Sequence, residues 1–305
     1  MGEIADALRR ARGTTPPEIR PVAPVAPPPP EPSLGRLPAA PTLAAREPAP
    51  ERPAGNVITR IDPPDHAIAL EGAQAEACRR VALRARAHLK SAKARSLAVV
   101  SAGRADGKTT VACNIALAFA SLIKGRQVAL VDLDLRKPSV APTLGLRPQH
   151  GIEEVLHGRA NLADVQISLS DPEIDFFPAI QATSRSHELL VQPRFAQLIE
   201  QLERRYEVVV IDTPPVLLTP DANLILEHVA MCVPIARVGW TRLRSFRALV
   251  EALPRSKMID PLLNGGSAPG HYGVDDYYGV ADVPDAPPPL LDWGTLKKRW
   301  GNRGE

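Results

Sequence analysis

The stretch from residue 96 to residue 114 constrains the fold more than any other part of this sequence. Residues 97–100 form a short apolar run rich in Val, of the length expected for a strand that is buried on both faces. A polar turn and the motif Gly107-Lys-Thr-Thr110 come next, and apolar residues then recur with helical spacing between positions 115 and 122. A glycine-containing loop between a strand and a helix is the context that makes a Gly-Lys-Thr motif a phosphate-binding hypothesis.

The chemistry of such a loop follows from its position at the start of a helix. Backbone N–H groups there can bind phosphate oxygens, and the helix dipole favours their negative charge. Lys108 is placed to reach the β- and γ-phosphates, and the Thr109 hydroxyl is placed to ligate Mg²⁺. The loop departs from the usual Walker A pattern, because Ala102 stands at the first glycine position and Gly103 comes one residue late. Taken alone, it is equally consistent with a glycine turn that binds no ligand.

Acidic residues end two further apolar runs. Asp132 and Asp134 follow residues 128–131, and Asp212 follows residues 208–211. Carboxylates two residues apart on an extended chain point to the same side, and in an open α/β sheet the ligand crevice lies at the carboxyl ends of the strands. An Asp in this place can hold Mg²⁺ through water. Helix-capping acids are the alternative interpretation, but three such strand ends in one chain favour a nucleotide site.

Composition argues against several classes of protein. With 37 basic and 34 acidic residues the net charge is +3, which is too small to indicate nucleic-acid binding. No apolar run approaches the roughly 18 residues of a membrane span, and the first residues lack the pattern of a signal peptide. Three widely spaced cysteines form neither a metal-binding motif nor a disulfide framework, which fits a reducing cytoplasm.

The chain divides into three parts by composition. Residues 1–64 are rich in Pro and Ala and are expected to be disordered, because such a segment cannot bury enough apolar surface to offset its ordering. Residues 65–266 are expected to form one domain and residues 267–305 a flexible tail. Alternating helices and strands predict an α/β fold with a doubly wound, mostly parallel sheet and helices on both faces. The predicted helices include 69–94, 188–204, 222–229 and 245–253, and the predicted strands are 97–100, 128–131, 174–177, 208–211, 231–238 and 258–264.

Residues from about 76 to 278 resemble the cytoplasmic bacterial tyrosine kinases of the CpsD/CapB type, which belong to the deviant-Walker P-loop ATPases. Residues 101–110 are similar to the Walker A loop of that family. Asp-Leu-Asp-Leu-Arg-Lys-Pro at 132–138 is similar to its Walker A′ motif, and Ile-Asp-Thr-Pro-Pro-Val at 211–216 to its Walker B motif. Septum-site and chromosome-partitioning ATPases share the fold but carry a second Lys in the loop, where this chain has Gly103, so the kinases are favoured.

The resemblance implies a P-loop NTPase fold and a Mg·ATP-dependent transfer of the γ-phosphoryl group to tyrosine. It implies that Lys108 neutralises the phosphates, that Asp132 is the base for the tyrosine hydroxyl, and that Asp134 supports the water shell of the metal. A metal-shell acid without kinase chemistry is the alternative role of Asp132. Asn264 would contact the adenine, or would only form the turn that follows it. The implied nucleotide-binding residues are Gly103, Asp106, Gly107, Lys108, Thr109, Thr110 and Asn264, and the implied Mg²⁺-binding residues are Thr109, Asp134 and Asp212.

Three of the four tyrosines of the chain lie close together in residues 270–279, namely Tyr272, Tyr277 and Tyr278. The Gly and Asp residues around them indicate a mobile segment that an active site could grip. The family resemblance implies that these three tyrosines are autophosphorylated. Chance clustering of a scarce residue in a tail is the alternative.

The resemblance also implies a partner, a membrane-embedded polysaccharide chain-length regulator that activates the kinase. It places the chain in the cytoplasm at the inner membrane, where it would regulate capsular or exopolysaccharide synthesis and export, with no nucleic-acid partner. Homo-oligomer formation stays open, because Ala82 replaces the second Arg of the family's oligomerisation helix. Arg104-Ala105 replaces the family's Pro-Gly, and Pro234 interrupts a strand expected to be central. Two alternatives therefore remain: a regulatory ATPase of the partitioning or septum-site type, and a nucleotide-binding scaffold without turnover.

Overall fold

A computed structural model describes residues 56–58, 60–63, 68–69 and 71–265 of the chain. These residues contain one eight-stranded sheet with helices packed against it. The predictions made for the N-terminal Pro-rich segment up to residue 55 and for the tail with its three tyrosines lie outside the described residues.

The elements are defined by the following bounds. The strands are β1 (Asn56–Ile58), β2 (Ser96–Ser101), β3 (Val128–Asp132), β4 (Ile167–Ser170), β5 (Glu173–Phe177), β6 (Val208–Asp212), β7 (Met231–Arg237) and β8 (Leu262–Asn264). The helices are α1 (Gly72–Ser91), α2 (Lys108–Leu122), α3 (Val140–Thr143), α4 (Ile152–His157), α5 (Ser186–Leu190), α6 (Pro193–Arg205), α7 (Asp221–His228) and α8 (Leu243–Ala252). None of these helices within the described ranges combines the length and the apolar character that a membrane span requires.

The sheet has the strand order β1-β4-β5-β3-β6-β2-β7-β8. Every neighbouring pair is parallel except β4 and β5, which confirms the predicted mostly parallel sheet. Strands β3, β6 and β2 lie side by side at the centre, and Asp132 at the end of β3 is directly opposite Asp212 at the end of β6. Three of the sequence motifs therefore meet at one edge of the sheet, where open α/β sheets bind their ligands.

Helices cover both faces of the sheet, and alternate residues of one strand enter different cores. In β6, Val210 belongs to the core that contains Phe119 of α2. Val209, its neighbour along the strand, belongs to the core that contains Leu198 of α6 and Phe246 of α8. Since successive side chains of a strand point to opposite faces, a strand covered on both sides is apolar throughout, as β6 is until its terminal Asp.

Two predicted elements had the wrong boundaries, and two strands were missed. The single helix predicted for residues 188–204 is two helices, α5 and α6, because Pro193 cannot continue a helix but suits the first turn of a new one. The strand predicted for residues 258–264 is paired over Leu262–Asn264, and Met258 forms only an isolated bridge with Cys232. Strands β1 and β4 were not predicted.

Pro234 does not disrupt the sheet in the way its central position suggested. The N–H of Cys232 donates to the carbonyl of Lys257, and the carbonyl of Cys232 accepts from the N–H of Ile259. Both bonds lie on the side of β7 away from β2. Two residues further along, the backbone of Pro234 faces the same side. There it lies between the isolated bridge of Cys232 and the ladder with β8, which begins at Ile235. A proline without an N–H is tolerated at such a gap.

Candidate nucleotide-binding site

The loop from residue 102 to residue 107 joins the central strand β2 to helix α2. Gly107, its last residue, has a φ of 89°, in the left-handed region that favours glycine. A side chain at position 107 would also clash with the side-chain amide of Asn264. As the N-cap of α2, Gly107 has no side chain to bond the first amide groups of the helix, and it leaves them to other partners such as an anion.

Thr109 and Asp212 meet at the carboxyl edge of the sheet, as their motifs predicted. The Thr109 hydroxyl donates a hydrogen bond of 2.6 Å to Oδ2 of Asp212. The other carboxylate oxygen of Asp212, Oδ1, is buried and has no hydrogen-bond partner among the described residues. Such an atom is costly to leave unsatisfied, and a bound cation or its water shell would satisfy it.

The residues present fit a magnesium ion that arrives with a nucleotide. Within the described residues, no group of three or more His, Cys, Asp or Glu side chains could hold a metal by itself. Mg²⁺ at nucleotide sites is held by one or two protein groups together with substrate phosphates and water. Thr109 and Asp212 supply a hydroxyl and a carboxylate in contact, next to the helix start that would hold the phosphates.

Lys108 interacts electrostatically with acidic residues of the two other motifs. It is the first residue of α2, and its side chain is 7% exposed. Its positive charge lowers the pKa of both Asp134 and Asp212, which shows that it is near both carboxylates. Burial nevertheless dominates, so the pKa of Asp134 is raised and that of Asp212 is raised to about 7. A divalent cation in the site would oppose this effect and favour the ionised carboxylates.

Asp132 is fully buried, and both of its carboxylate oxygens accept hydrogen bonds from backbone N–H groups. Its Oδ2 accepts hydrogen bonds of 2.9 Å from the N–H groups of Ser139 and Val140, and its Oδ1 accepts one of 3.1 Å from the N–H of Asp134. Burial and the negative charge of Asp212 raise its pKa, although the backbone donors oppose this. Asp132 therefore holds the loop after β3 in place. Asp134 is the more exposed acid of the pair, with Oδ1 bonded to the N–H of Lys137.

Two predicted nucleotide-binding residues have partners within the protein. Asp106 is buried, with Oδ2 accepting from the N–H of Gly103 at 2.9 Å and Oδ1 accepting from the hydroxyl of Thr241 at 2.6 Å. Asn264 donates its side-chain N–H to the carbonyl oxygen of Asp106 at 3.1 Å. Both side chains brace the loop in this conformation. The carbonyl oxygen of Thr110, on the first turn of α2, accepts from the amide of Asn114.

Sequence reasoning missed an ion pair that joins the Walker A′ loop to helix α7. Arg136 donates from Nε to Oδ2 of Asp221 at 2.8 Å, and Ser186 donates its hydroxyl to the same carboxylate, which is 1% exposed. Arg136 belongs to the Walker A′-like motif and Asp221 lies five residues after the Walker B-like motif, but nothing in the sequence paired them across 85 positions.

Comparison with known proteins shows what this chain is similar to. Residues 95–240 match the family model described as an AAA domain. The chain is 29% identical over 192 residues to the tyrosine-protein kinase YwqD of Bacillus subtilis, covering 62% of this chain and 79% of that protein. It is 33% identical over 138 residues to the tyrosine-protein kinase wzc of Salmonella typhi. The chain is a homologue of the bacterial tyrosine-protein kinases.

A solved structure supports the same relationship. The kinase domain of the Escherichia coli tyrosine kinase ETK is 25% identical, with a TM-score of 0.57 over 65% of this chain and 78% of that domain. The match to the Salmonella typhi protein covers 45% of this chain but only 19% of that protein. The relatives and the structural neighbours do not support the interpretation as a partitioning-type ATPase better than the interpretation as a kinase.

Proposed function

We propose that this protein is an ATP-dependent protein-tyrosine kinase that phosphorylates tyrosines of its own chain. The observation that carries the proposal is the contact between Thr109 and Asp212, with the partnerless Oδ1 of Asp212 beside it. It supplies a magnesium-binding pair at the start of a phosphate-binding helix, in a chain whose relatives are named tyrosine-protein kinases.

In the proposed reaction, the tyrosine oxygen attacks the γ-phosphorus of ATP, the bond to the β–γ bridging oxygen breaks, and ADP leaves. Lys108 neutralises phosphate charge, and the amide groups at the start of α2 hold the phosphate oxygens. Thr109 and Asp212 hold Mg²⁺, with Asp134 supporting its water shell. Mg²⁺ held by these residues would neutralise negative charge on the phosphates.

Asp132 is the proposed acceptor of the tyrosine proton. Each carboxylate oxygen can accept two hydrogen bonds, and Oδ1 of Asp132 accepts one from the described residues, so one position can take a proton. Its complete burial requires that the loop after β3 shift to admit the substrate. Asp134, in the same loop and slightly exposed, is the matched residue against which this role must be tested.

The proposed substrates are Tyr272, Tyr277 and Tyr278, and the fourth tyrosine provides an internal control. Tyr206 is fully buried, and its hydroxyl donates to Oδ2 of Asp175 at 2.7 Å. A kinase acting on its own folded chain would therefore leave Tyr206 unmodified.

The proposed setting is the cytoplasmic side of the inner membrane, in capsular or exopolysaccharide synthesis and export. There a membrane-embedded chain-length regulator would bind and activate the kinase. One relative from Klebsiella pneumoniae is described as lying in a cps region, at 29% identity over 157 residues, which agrees with such a setting.

The test incubates the full chain with Mg·ATP, alone and with the cytoplasmic segment of a candidate regulator. Trypsin should release residues 258–297 as one peptide that holds all three tail tyrosines, because no Lys or Arg occurs between Lys257 and Lys297. Mass spectrometry of this peptide is expected to show phosphate on at least one tyrosine, and none on Tyr206. The Lys108→Met variant should abolish the signal, and Asp132→Asn should lose it more completely than Asp134→Asn.

Two results would overturn parts of this proposal. ATP hydrolysis with unmodified tyrosines, with and without the regulator segment, would leave a regulatory ATPase. Phosphorylation that survives in Asp132→Asn but not in Asp134→Asn would move the base to Asp134.

A further inference from the structure

The turn between β7 and α8 packs against the phosphate-binding loop. Its residues 237–241 contact the backbone of Arg104 and Ala105 and the side chain of Asp106, more than 130 positions earlier in the chain. The two segments share no sequence motif, and the turn was given no role by its sequence.

Thr241 is the centre of a relay of hydrogen bonds that runs from β7 into the loop. Its hydroxyl accepts from the N–H of Arg237 at 2.7 Å and donates to Oδ1 of Asp106 at 2.6 Å. Oδ2 of Asp106 in turn accepts from the N–H of Gly103 at 2.9 Å. The hydroxyl is therefore both acceptor and donor, and it links the end of the strand to the start of the loop.

Two further side chains of the turn bond to carbonyl oxygens of the loop. The indole N–H of Trp240 donates to the carbonyl of Arg104 at 3.3 Å, and the guanidinium of Arg237 donates to the carbonyl of Ala105 at 3.2 Å. The guanidinium also lies over the indole ring, 5.8 Å from its centroid. Although Trp240 is 61% exposed, its indole N–H bonds to the loop and its ring lies under the guanidinium that bonds to the next carbonyl of the loop.

These contacts fix the residue of the loop that has the least favourable backbone. Ala105 has a φ of 61°, a left-handed conformation that is unfavourable for a residue with a Cβ atom. The carbonyls of Arg104 and Ala105 belong to the peptide planes on the two sides of the Ala105 Cα. Anchoring both carbonyls sets the two backbone angles of Ala105.

We propose that residues Arg237, Trp240 and Thr241 are positioning residues that hold the phosphate-binding loop closed against the strain at Ala105. They act on the backbone of the loop and not on the nucleotide. Their proposed effect on nucleotide affinity rests on the proposed function, whereas their effect on the loop itself does not. The reason is the left-handed conformation of Ala105, which glycine adopts without strain and alanine does not, so this loop depends on outside support.

The loop contains its own probe, because Arg104 is exposed and trypsin can cut after it only when the loop opens. Native protein is digested briefly, and the rate of cleavage after Arg104 is divided by the rate for the same variant unfolded in urea. Thr241→Val removes the donor and acceptor but keeps the branched shape, and should raise this rate about tenfold or more. Thr241→Ser keeps the hydroxyl and should match the wild type. Ala105→Gly should slow the cleavage about fivefold and bring Thr241→Val back near the wild-type rate.

The affinity for Mg·ADP, measured in the same variants, should follow the same order. An unchanged cleavage rate in Thr241→Val, equal acceleration at helix sites such as Arg84, or no rescue by Ala105→Gly would each overturn the inference. If neither the wild type nor any variant binds Mg·ADP but the cleavage rates change as expected, the proposed function fails and the inference about the loop stands.

Discussion

Two opposing effects act on the pKa of Asp212 in the nucleotide-free protein. Its carboxylate is completely buried at the end of β6, and burial raises its pKa to about 7 even though Lys108 and the Thr109 hydroxyl lower it. Binding of Mg²⁺ requires the ionised form. The residue is thus partly protonated near neutral pH until a cation replaces the proton, which is the linkage seen at metal sites generally.

We expect Mg·ADP binding to release protons when the pH is near or below 7. Below the pKa of free Asp212, the affinity should rise by up to tenfold for each unit that the pH increases, and it should level off above pH 8. Titration calorimetry in two buffers of different ionisation enthalpy measures the released protons. The matched control is Asp212→Asn, which keeps the shape but cannot ionise and should release fewer protons than the wild type, because only the contribution of Asp212 is removed. Equal heats in both buffers for the wild type at pH 6.5 would contradict this account.

At the scale of elements, the Walker A′ loop is tied to helix α7 by the ion pair of Arg136 with Asp221. Asp221 is 1% exposed, so the carboxylate depends on Arg136 and Ser186 for compensation. Removing one partner of a buried pair costs more than the pair contributes, because the other charge is left without its partner.

Arg136→Met should therefore lower the free energy of unfolding by about 2 kcal/mol, within the range for a broken pair of which one member is partly exposed. Adding Asp221→Asn should restore part of this loss, because the uncompensated charge is then gone. Urea unfolding of the two single variants and the double variant gives the coupling energy. If the decrease in the free energy of unfolding of the double variant equals the sum of the two single decreases, the two side chains do not depend on each other.

The elements also show which structural features the sequence could predict. Strands β2, β3 and β6 were predicted because each is a continuous apolar run, and their acids could be placed because parallel strands end at one edge. Strand β4 has two serines among its four residues, and β1 has only three residues, so both lack a local signal. The support of the loop by Thr241 was beyond prediction for a different reason. A hydroxyl that meets a carboxylate 135 positions away leaves no pattern in the sequence.

At the scale of the whole molecule, the site joins parts of the fold that are far apart in the chain. The phosphate-binding loop follows β2, the paired acids end β3 and β6, and Asn264 of the edge strand β8 contacts the loop from the other side. A ligand held by all of these segments binds the folded state and has little affinity for the unfolded chain. Its binding free energy therefore adds to the stability of the domain.

Mg·ADP at about a hundred times its dissociation constant should add about 2.7 kcal/mol. For a domain of this size that corresponds to a rise in Tm of roughly 5–10 °C. Lys108→Met removes the buried charge expected to meet the phosphates, and it should lose most of this rise relative to its own nucleotide-free Tm. The conservative variant Lys108→Arg keeps the positive charge and should retain part of the rise in Tm. The measurement is a thermal melt of each variant with and without Mg·ADP, with Mg²⁺ alone as the reference. An equal rise in Lys108→Met would contradict the assignment of Lys108 to the phosphates, because the buried charge would then contribute nothing to nucleotide binding.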